Sequence, residues 1–537
     1  MPAAADTFDY VIVGAGSAGC VLANRLTASG RYRVLLLEAG PEDRNPWLHV
    51  PVGYGKLFSD RRFNWCYATE PQPECRNREV IAPRGKVLGG SSAINGLIYI
   101  RGQAQDFDQW RQLGNVGWSF DDVLPYFRKS ESNERGADDM HGAEGPLAVS
   151  DARDRHPLAL AYIEAAEQCG YPRNDDFNGA NQEGAGFYQT TTRNGLRCSA
   201  AKGYLKPARG RANLKVVPGA FATRILFDGH RATGVEYEVG GQTKTASASG
   251  ELILSSGAFN SPQLLQVSGV GPAALLQSCG IPVIADMPGV GDGLMDHYAG
   301  RVTYRCRDTN TLNNVIHSWP AKIEAGLRYA FTRRGDLTTT ALSSGCFLRA
   351  HPLSETPDVQ CSIALYSADA IGIDLHEFPG ATGICTLLRP ESRGYVRIKS
   401  ADPHQPPAIQ PNYLAAQKDR DTLVAGVKIL RQIFNAPAMA RYIAAEIAPG
   451  PQCDSDEDLL DFIRLRGGTV YHPTSTCRMG QDATAVTDER LRVRGFEALR
   501  VIDASIMPAV VSGNTNAATI MIGEKGADMV LADAARR

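Results

Sequence analysis

Two short apolar runs near the N-terminus enclose a glycine-rich turn and an amphipathic segment. Residues 10–13 and residues 34–37 are both consecutive apolar positions. Between them Val21, Leu22 and Leu26 recur at the spacing of one helix face. The pattern predicts a strand, a helix and a second strand, which is the order of a parallel βαβ unit.

Two later segments extend this alternation of strands and helices. Residues 213–239 have the pattern of strands joined at the turn "DGH". Residues 251–266, "ELILSSGAFNSPQLLQ", predict a strand, a turn and a helix, with Ser261 as the N-cap and Pro262 at the first helical position. An alternating pattern at Tyr395–Ile398 predicts a further strand outside this unit.

The C-terminal stretch repeats the order of strand, turn and helix. "LRVIDAS" predicts a strand that ends at Asp503, and "SGNTN" predicts a turn. The apolar periodicity after that turn predicts a long helix with Asn516 as its N-cap.

The first predicted turn has the spacing of a dinucleotide site. Gly14, Gly16 and Gly19 follow the pattern G-x-G-x-x-G, and Glu38 ends the second strand. Gly14 allows a tight turn, Gly16 lets backbone approach a diphosphate, and Gly19 lets the helix pack on the strand. A free helix N-terminus attracts phosphate, and a carboxylate at the position of Glu38 suits ribose hydroxyls. The spacing does not distinguish FAD from NAD.

Length and composition limit the classes of protein that this chain can represent. With 537 residues the chain predicts at least two domains, and its net charge of −2 argues against nucleic acid as a partner. No apolar run is long enough for a transmembrane helix. Twelve cysteines without a C-x-x-C pair favour reduced thiols. Because the glycine motif begins at Gly14, we expect no signal peptide and a cytoplasmic protein, with peripheral membrane contact left open.

A glycine- and serine-rich segment then indicates a family. "GKVLGGSSAINGLIYIRGQAQDFD" (85–108) and "GAFNSPQLLQVSGVG" (257–271) resemble the two signatures of the glucose–methanol–choline (GMC) oxidoreductases. With the N-terminal motif and a C-terminal "HP…TCRMG" block, the resemblance extends along the whole chain. Within the family it is strongest for choline dehydrogenases and FAD-dependent alcohol dehydrogenases.

The resemblance implies an α/β protein, α+β overall, in which two domains are interleaved along the chain. A Rossmann-like FAD-binding domain would comprise residues 1–149, 205–299 and 465–537. A substrate-binding domain, built on an antiparallel sheet with helices, would comprise residues 150–204 and 300–464.

The resemblance also assigns residues to the FAD site. Besides the three glycines and Glu38, the implied cofactor-binding residues are Ser17, Ala18, Ala39, Trp65, Arg84, Gly85, Gly90, Asn95, Gly96, Ile98, Ala222, Tyr471, Asp503, Ala504 and Asn516. Family members with covalent flavin carry a histidine where this chain has Ile94. Isoleucine has no nucleophilic atom, so we expect FAD to be bound non-covalently.

His472, in "VYHPTSTCRMG", has three interpretations on sequence grounds. A metal site with Cys477 lacks further ligands at a suitable spacing, so we expect no metal. A buried, structural histidine is the ordinary outcome for a lone residue of this type. The family resemblance favours the third interpretation, in which His472 and Asn514 flank the substrate carbon and Cys477 only packs.

The implied reaction is oxidation of a primary alcohol to an aldehyde. His472 would accept the hydroxyl proton, Asn514 would orient the alcohol oxygen, and a hydride would pass to flavin N5. The electrons would then go to a quinone or another carrier, with O₂ as the alternative of an oxidase. A choline substrate and an FAD-containing hydroxynitrile lyase are further alternatives.

The substrate and the assembly are less constrained by the sequence. A choline enzyme would need an aromatic cage, for which Trp65, Tyr67, Phe187, Tyr188 and Tyr366 are candidates. We favour an uncharged aliphatic or aromatic primary alcohol. The sequence does not indicate an oligomeric state.

Overall fold

The computed structural model describes residues 6–369 and 374–536. Two seven-stranded sheets organise it. Their strands are, in chain order, β1 (Asp6–Val13), β2 (Val34–Glu38), β3 (Gly184–Phe187), β4 (Leu214–Pro218), β5 (Phe221–Asp228), β6 (Arg231–Val239), β7 (Gln242–Leu254), β8 (Tyr298–Cys306), β9 (Ser344–Leu348), β10 (Val359–Ala364), β11 (Gly380–Leu387), β12 (Ile443–Ala448), β13 (Gly468–Thr469) and β14 (Leu499–Val501).

The main helices pack on these sheets or border the cavity between them. They are α1 (Ser17–Thr27), α2 (Ala104–Gln112), α3 (Phe120–Ser130), α4 (Pro157–Gln168), α5 (Gly257–Val267), α6 (Leu312–His317), α7 (Trp319–Thr332), α8 (Gln417–Asn435), α9 (Asp456–Arg466) and α10 (Thr515–Ala534). Within the residues described, no helix combines the length and the apolar character that crossing a membrane requires.

The first sheet has the order β4–β2–β1–β7–β6–β5, with β14 paired to β7. The pairs β4/β2, β2/β1, β1/β7 and β7/β14 are parallel, whereas β6 joins its neighbours antiparallel. Every residue of β2 is buried, as expected for a parallel strand covered on both faces. The predicted βαβ unit is confirmed as β1, α1 and β2.

The second sheet is antiparallel throughout, with the order β12–β8–β11–β10–β9–β3 and β13 paired to β8. The predicted combination of a Rossmann-like sheet with an antiparallel one is therefore confirmed. Strands of the two sheets alternate along the chain. The boundaries that we expect between the domains remain a prediction.

The C-terminal helix α10 packs against α1, which aligns the N-termini of both helices. A Cβ on Gly523 would lie 3.1 Å from the Cα of Ala18, so the two backbones approach closely. Arg25 donates two hydrogen bonds, of 2.7 and 2.8 Å, to the buried carboxylate of Glu524. Near the helix starts, Ser17 Oγ donates to Asn516 Oδ1 at 2.8 Å.

The predicted start of α5 is wrong by five residues. The helix begins at Gly257, with Ser256 as its N-cap, and Pro262 lies inside it. The backbone N–H of Gly257 donates to Asp503 Oδ2, and Ser261 Oγ donates to the same oxygen. A carboxylate more than 240 residues away in the sequence therefore supplies the acceptor at the helix start.

Three other predicted boundaries of helices and strands also differ from those in the structure. The last helix begins at Thr515, with Asn514 as its N-cap, so Asn516 lies within the first turn. Strand β14 ends at Val501, and Asp503 instead caps a short 3₁₀ turn, Ala504–Ile506. The strand expected over 395–398 spans Gly394–Arg397, in a separate three-stranded sheet.

Candidate active site

A cavity of about 880 Å³ lies where the carboxyl ends of the parallel strands face the second sheet. Gly14 follows β1, Glu38 ends β2 and Asp503 follows β14. The cavity therefore occupies the crevice outside the carboxyl ends of the strands, where open α/β sheets usually bind ligands. The predicted residues that line the cavity are Gly14, Gly16, Ser17, Ala18, Glu38, Ala39, Trp65, Arg84, Gly85, Gly90, Asn95, Gly96, Ile98, Ala222, Tyr471, His472, Asp503, Ala504, Asn514 and Asn516. Gly19 lies beneath the turn, where a Cβ would stand 1.9 Å from the carbonyl oxygen of Gly14.

Two glycine-rich segments meet at the start of α1. Gly14 has a φ of +101° and Gly90 a φ of +53°, both in the region that favours glycine. A Cβ on Gly90 would lie 2.7 Å from the Cα of Gly16. The chain therefore exposes backbone, rather than side chains, to this end of the cavity.

The carboxylate of Glu38 is held by backbone amides at the same end. Its oxygens accept hydrogen bonds from the N–H groups of Ala15 (3.0 Å) and Gly40 (2.9 Å). Burial raises the pKa of Glu38 to about 7, against the opposing effect of these two hydrogen bonds. Glu38 thus fixes the turn that follows β1 and the turn that follows β2.

The loop at residues 470–480 crosses the other end of the cavity in a strained conformation. Tyr471 has a φ of +72° and Ser475 a φ of +77°. Both are left-handed, a conformation that non-glycine residues rarely adopt. Arg84 Nη2 donates to the carbonyl of Tyr471 at 2.6 Å, and Tyr471 N–H donates to Thr469 Oγ1 at 2.7 Å.

Thr476 joins the same loop to helix α5. Pro262 lacks the N–H that would otherwise bond to the carbonyl of Ala258, four residues earlier in the helix. Thr476 Oγ1 donates to that carbonyl at 2.7 Å. The loop therefore supplies the hydrogen bond that the proline removes.

Asp296 anchors the part of the loop that carries His472. Its Oδ1 accepts from the backbone N–H groups of His297 (2.9 Å) and His472 (2.7 Å). Its Oδ2 accepts from the hydroxyls of Tyr413 and Thr469, both at 2.6 Å. Burial raises the pKa of Asp296, whereas the hydroxyl groups and nearby Arg84 favour the carboxylate.

Two histidines form a short chain of hydrogen bonds whose direction can be assigned. His297 Nε2 lies 3.0 Å from the carbonyl oxygen of Leu388, which can only accept, so Nε2 carries a hydrogen. Burial lowers the pKa of His297 to about 4, so at neutral pH its Nδ1 is an acceptor. His472 Nδ1 lies 3.0 Å from that atom and must donate to it. Neutral His472 therefore has its lone pair on Nε2.

The side-chain amide of Asn514 faces this lone pair. Its Nδ2 donates to His472 Nε2 at 3.1 Å, while its Oδ1 is buried without a hydrogen-bond partner. Burial, followed by the proximity of His297 and Arg84, holds the pKa of His472 well below its ordinary value. At neutral pH the site therefore presents an uncharged base next to a polar amide.

His297 and Asp296 were not identified from the sequence. They lie about 175 residues before His472, in "GLMDHYAG", and no spacing relates the two segments. Of the five aromatic candidates for a cation cage, Trp65 and Tyr366 line the cavity. Cys477 is fully buried in the core. In residues 6–369 and 374–536, no group of three or more His, Cys, Asp or Glu is arranged to hold a metal ion.

Comparisons with known proteins show the family to which the chain belongs. Family models described as GMC oxidoreductase match residues 8–299 and 390–523. An alcohol dehydrogenase [acceptor] of Pseudomonas putida is 45% identical, over 98% of this chain and 96% of the relative. Human mitochondrial choline dehydrogenase is 44% identical, over 98% of this chain and 90% of the relative.

Solved structures extend the similarity to the whole fold. Pyridoxine 4-oxidase from Mesorbium loti superposes with a TM-score of 0.88 at 32% identity, over 97% of this chain and 98% of the other. A formate oxidase of Aspergillus oryzae, studied for the modification of its FAD, gives a TM-score of 0.93 at 27% identity, over 99% and 100% of the two chains. The chain belongs to the GMC oxidoreductase family and is an enzyme of that family.

The hydrogen bonds to Asp296 lead to a prediction about stability. Asp296→Ala would leave two hydroxyls and two backbone N–H groups without their acceptor, each costing about 1–3 kcal/mol. We expect the variant to lose at least about 3 kcal/mol of unfolding free energy, measured by denaturant titration. Asp296→Asn keeps one acceptor oxygen and should lose less. Equal midpoints for both variants and the parent would contradict the role of Asp296.

Proposed function

We propose that the protein oxidises a primary alcohol to the aldehyde with FAD, and that His472 is the base. The observation that carries this proposal is the hydrogen-bond direction from His472 through His297 to Leu388, which leaves an unprotonated Nε2 beside Asn514. An alcohol carbon releases a hydride only as its hydroxyl proton leaves, so a base at this position meets the first requirement of the reaction.

The residues present fit FAD. The cavity volume suits a large ligand, and the approach of Gly90 to Gly16 leaves a backbone cradle that a Cβ would fill. The N-terminus of α1, together with Gly14 and Gly16, would hold the diphosphate. Glu38 would bind ribose, and the backbone at Ala222 would contact adenine. When bound, FAD accepts the hydride that the alcohol carbon releases.

His472 and Asn514 would divide the remaining work between them. A bound alcohol would donate its hydroxyl hydrogen to His472 Nε2, taking the place of the Asn514 amide. The amide of Asn514 would then donate to the alcohol oxygen and hold it as the proton leaves. Because the pKa of His472 lies well below its ordinary value, the base remains unprotonated at neutral pH.

The cavity walls support an uncharged substrate over choline. A trimethylammonium group binds best over the face of a tryptophan ring. Trp47 and Trp65 both line the cavity, but the ammonium of Lys56 lies 3.8 Å from the Trp47 ring and that of Lys86 lies 4.6 Å from the Trp65 ring. A cationic substrate would have to displace these lysines.

The electron acceptor is proposed to be a quinone or another carrier rather than O₂. Similarity to an alcohol dehydrogenase [acceptor] and to choline dehydrogenases supports this proposal. Hydrogen peroxide formed in equal amount to the aldehyde, in air and without an added carrier, would show an oxidase instead.

Removal of the base gives the direct test. In His472→Ala, stopped-flow reduction of the flavin by a primary alcohol should slow by about 10²–10⁴-fold, because general-base catalysis typically contributes that much. FAD should remain bound, as judged by the visible spectrum. His230→Ala, an exposed histidine outside the cavity, is the matched control. Reduction at the parental rate in the His472 variant would reject the assignment.

The positioning role of His297 can be tested separately. His297→Phe removes the acceptor for His472 Nδ1–H, so a fraction of His472 would present N–H instead of a lone pair. We expect flavin reduction to slow by about 10²-fold without loss of FAD. His297→Asn places a carbonyl oxygen near the same point and should restore part of the rate. If Asn and Phe reduce the rate equally, the tautomer is not what His297 controls.

The residue at position 94 predicts how FAD is attached. Because Ile94 lines the cavity and has no nucleophilic atom, acid precipitation of the holoenzyme should release all of the flavin into the supernatant. Flavin fluorescence of the supernatant and of the pellet measures the two fractions. Flavin that stays with the pellet after washing in denaturant would show a covalent bond to another residue.

A further inference from the structure

Helix α7 carries an apolar face that the rest of the protein leaves uncovered. Trp319, Ile323, Leu327 and Phe331 are 75%, 60%, 54% and 85% exposed. Residues four apart lie on the same side of a helix, so the four form one stripe. Ile316 of α6, 46% exposed, extends the stripe beyond the start of α7.

The stripe is not a consequence of loose packing of the helix. On the opposite side of α7, Ala325 and Tyr329 are buried, and Tyr329 OH donates to the carbonyl of Gly195 at 2.9 Å. Ser318 caps the N-terminus, its side chain accepting from the N–H of Ala321. The helix is therefore fixed on the body of the protein through one face and presents the other outward.

Exposed apolar residues are concentrated here to an unusual degree. Of the fourteen large hydrophobic residues that are exposed in the described chain, five lie within residues 316–331. The other nine are scattered over seven separate segments, as on an ordinary protein surface. A contiguous apolar stripe of this kind marks a surface that meets an apolar partner.

Basic side chains accompany the stripe. Segment 316–335 contains Lys322, Arg328, Arg333 and Arg334 against a single acidic residue, Glu324, although the whole chain has a net charge of −2. The ammonium of Lys322 lies 4.8 Å from the Trp319 ring of the stripe, whereas the Arg333 guanidinium lies 5.1 Å from the ring of Tyr329, on the side away from the stripe. Arg328 is partly neutralised by Asp154, at 3.4 Å.

We propose that this face, Ile316 to Arg334, docks on the surface of an anionic lipid bilayer. An amphipathic helix with aromatic and aliphatic residues on one side and cations beside them lies in the plane of the membrane interface. Tryptophan is favoured at that depth, and each cation near an anionic surface contributes roughly a fivefold gain in binding. A second copy of the chain fits less well, because a two-fold contact would bring the same cations together.

Docking would bring the membrane close to the cavity. Ile316, Lys322, Ala325 and Gly326 belong to the same two helices and line the cavity wall. A lipid-soluble alcohol or electron carrier could then exchange between the bilayer and the cavity over a short distance. This consequence depends on the proposed function, whereas docking itself does not.

Vesicle binding by the full-length, FAD-loaded protein tests the proposal without an activity assay. We expect co-sedimentation with vesicles of phosphatidylcholine containing about a third phosphatidylglycerol, and much weaker binding to phosphatidylcholine alone. Binding should fall as salt rises from 0.05 to about 0.5 M, because screening weakens the attraction of the cations. Tryptophan emission should shift to shorter wavelength on binding, and this shift should be lost in Trp319→Phe, which keeps an apolar ring.

A variant with two charged residues in the stripe gives the decisive test of vesicle binding. Ile323→Glu with Phe331→Glu should weaken vesicle binding at least about tenfold, since both side chains would have to be buried in the interface. Neither residue lines the cavity, so flavin content and the rate of flavin reduction should not change. Leu353→Glu with Val116→Glu, at positions that are 85% and 75% exposed elsewhere, is the matched control.

Two results would overturn the proposal. One is equal vesicle binding by the stripe variant, the control variant and the parent. The other is an absence of vesicle binding by the parent, whatever its oligomeric state. Light scattering would then show whether the parent is a dimer that Ile323→Glu with Phe331→Glu converts to a monomer. Such a dimer would assign the stripe to an interface between copies of the chain.

Discussion

The buried carboxylate of Asp296 connects the two parts of the chain that form the proposed catalytic site. It lies just before β8 of the second sheet, yet it accepts the backbone N–H of His472, which belongs to the loop that returns toward the first sheet. Its other oxygen accepts hydrogen bonds from the hydroxyls of Tyr413 and Thr469, so both carboxylate oxygens have donors. The backbone of His472, the proposed base, is therefore positioned by the Asp296 carboxylate, while its imidazole is oriented by His297.

The alternation of the two sheets along the chain has a physical consequence for the cavity. A Rossmann-like sheet by itself offers backbone and helix ends, which suit a nucleotide but supply no base. The antiparallel sheet supplies Arg301 on β8 and the pair Asp296–His297 immediately before it. Because the C-terminal segment passes from β13 of one sheet to β14 of the other, His472 and Asp503 both line the same cavity.

Local patterns in the sequence were enough to predict features whose causes are local. The glycine turn at Gly14 and Gly16 was predicted correctly, since its conformation depends on a few adjacent residues. The start of α5 was not, because its acceptor is Asp503, on a distant segment. The same reason explains why His297 was missed: its role depends on a contact with His472 that only the fold creates. The family resemblance predicted residues that line the cavity, whereas the direction of their hydrogen bonds depends on contacts that only the fold creates.

The hydrogen bond from Thr476 to Ala258 bears on how substrates reach the site. If the loop that carries His472 moved away, the carbonyl of Ala258 would lose the donor that replaces the missing N–H of Pro262, and the carbonyl of left-handed Tyr471 would lose the hydrogen bond from Arg84. These contacts oppose movement of the loop, so we expect it to act as part of the rigid framework rather than as a gate. Substrate access would then depend on the parts of the cavity wall that lie outside this loop.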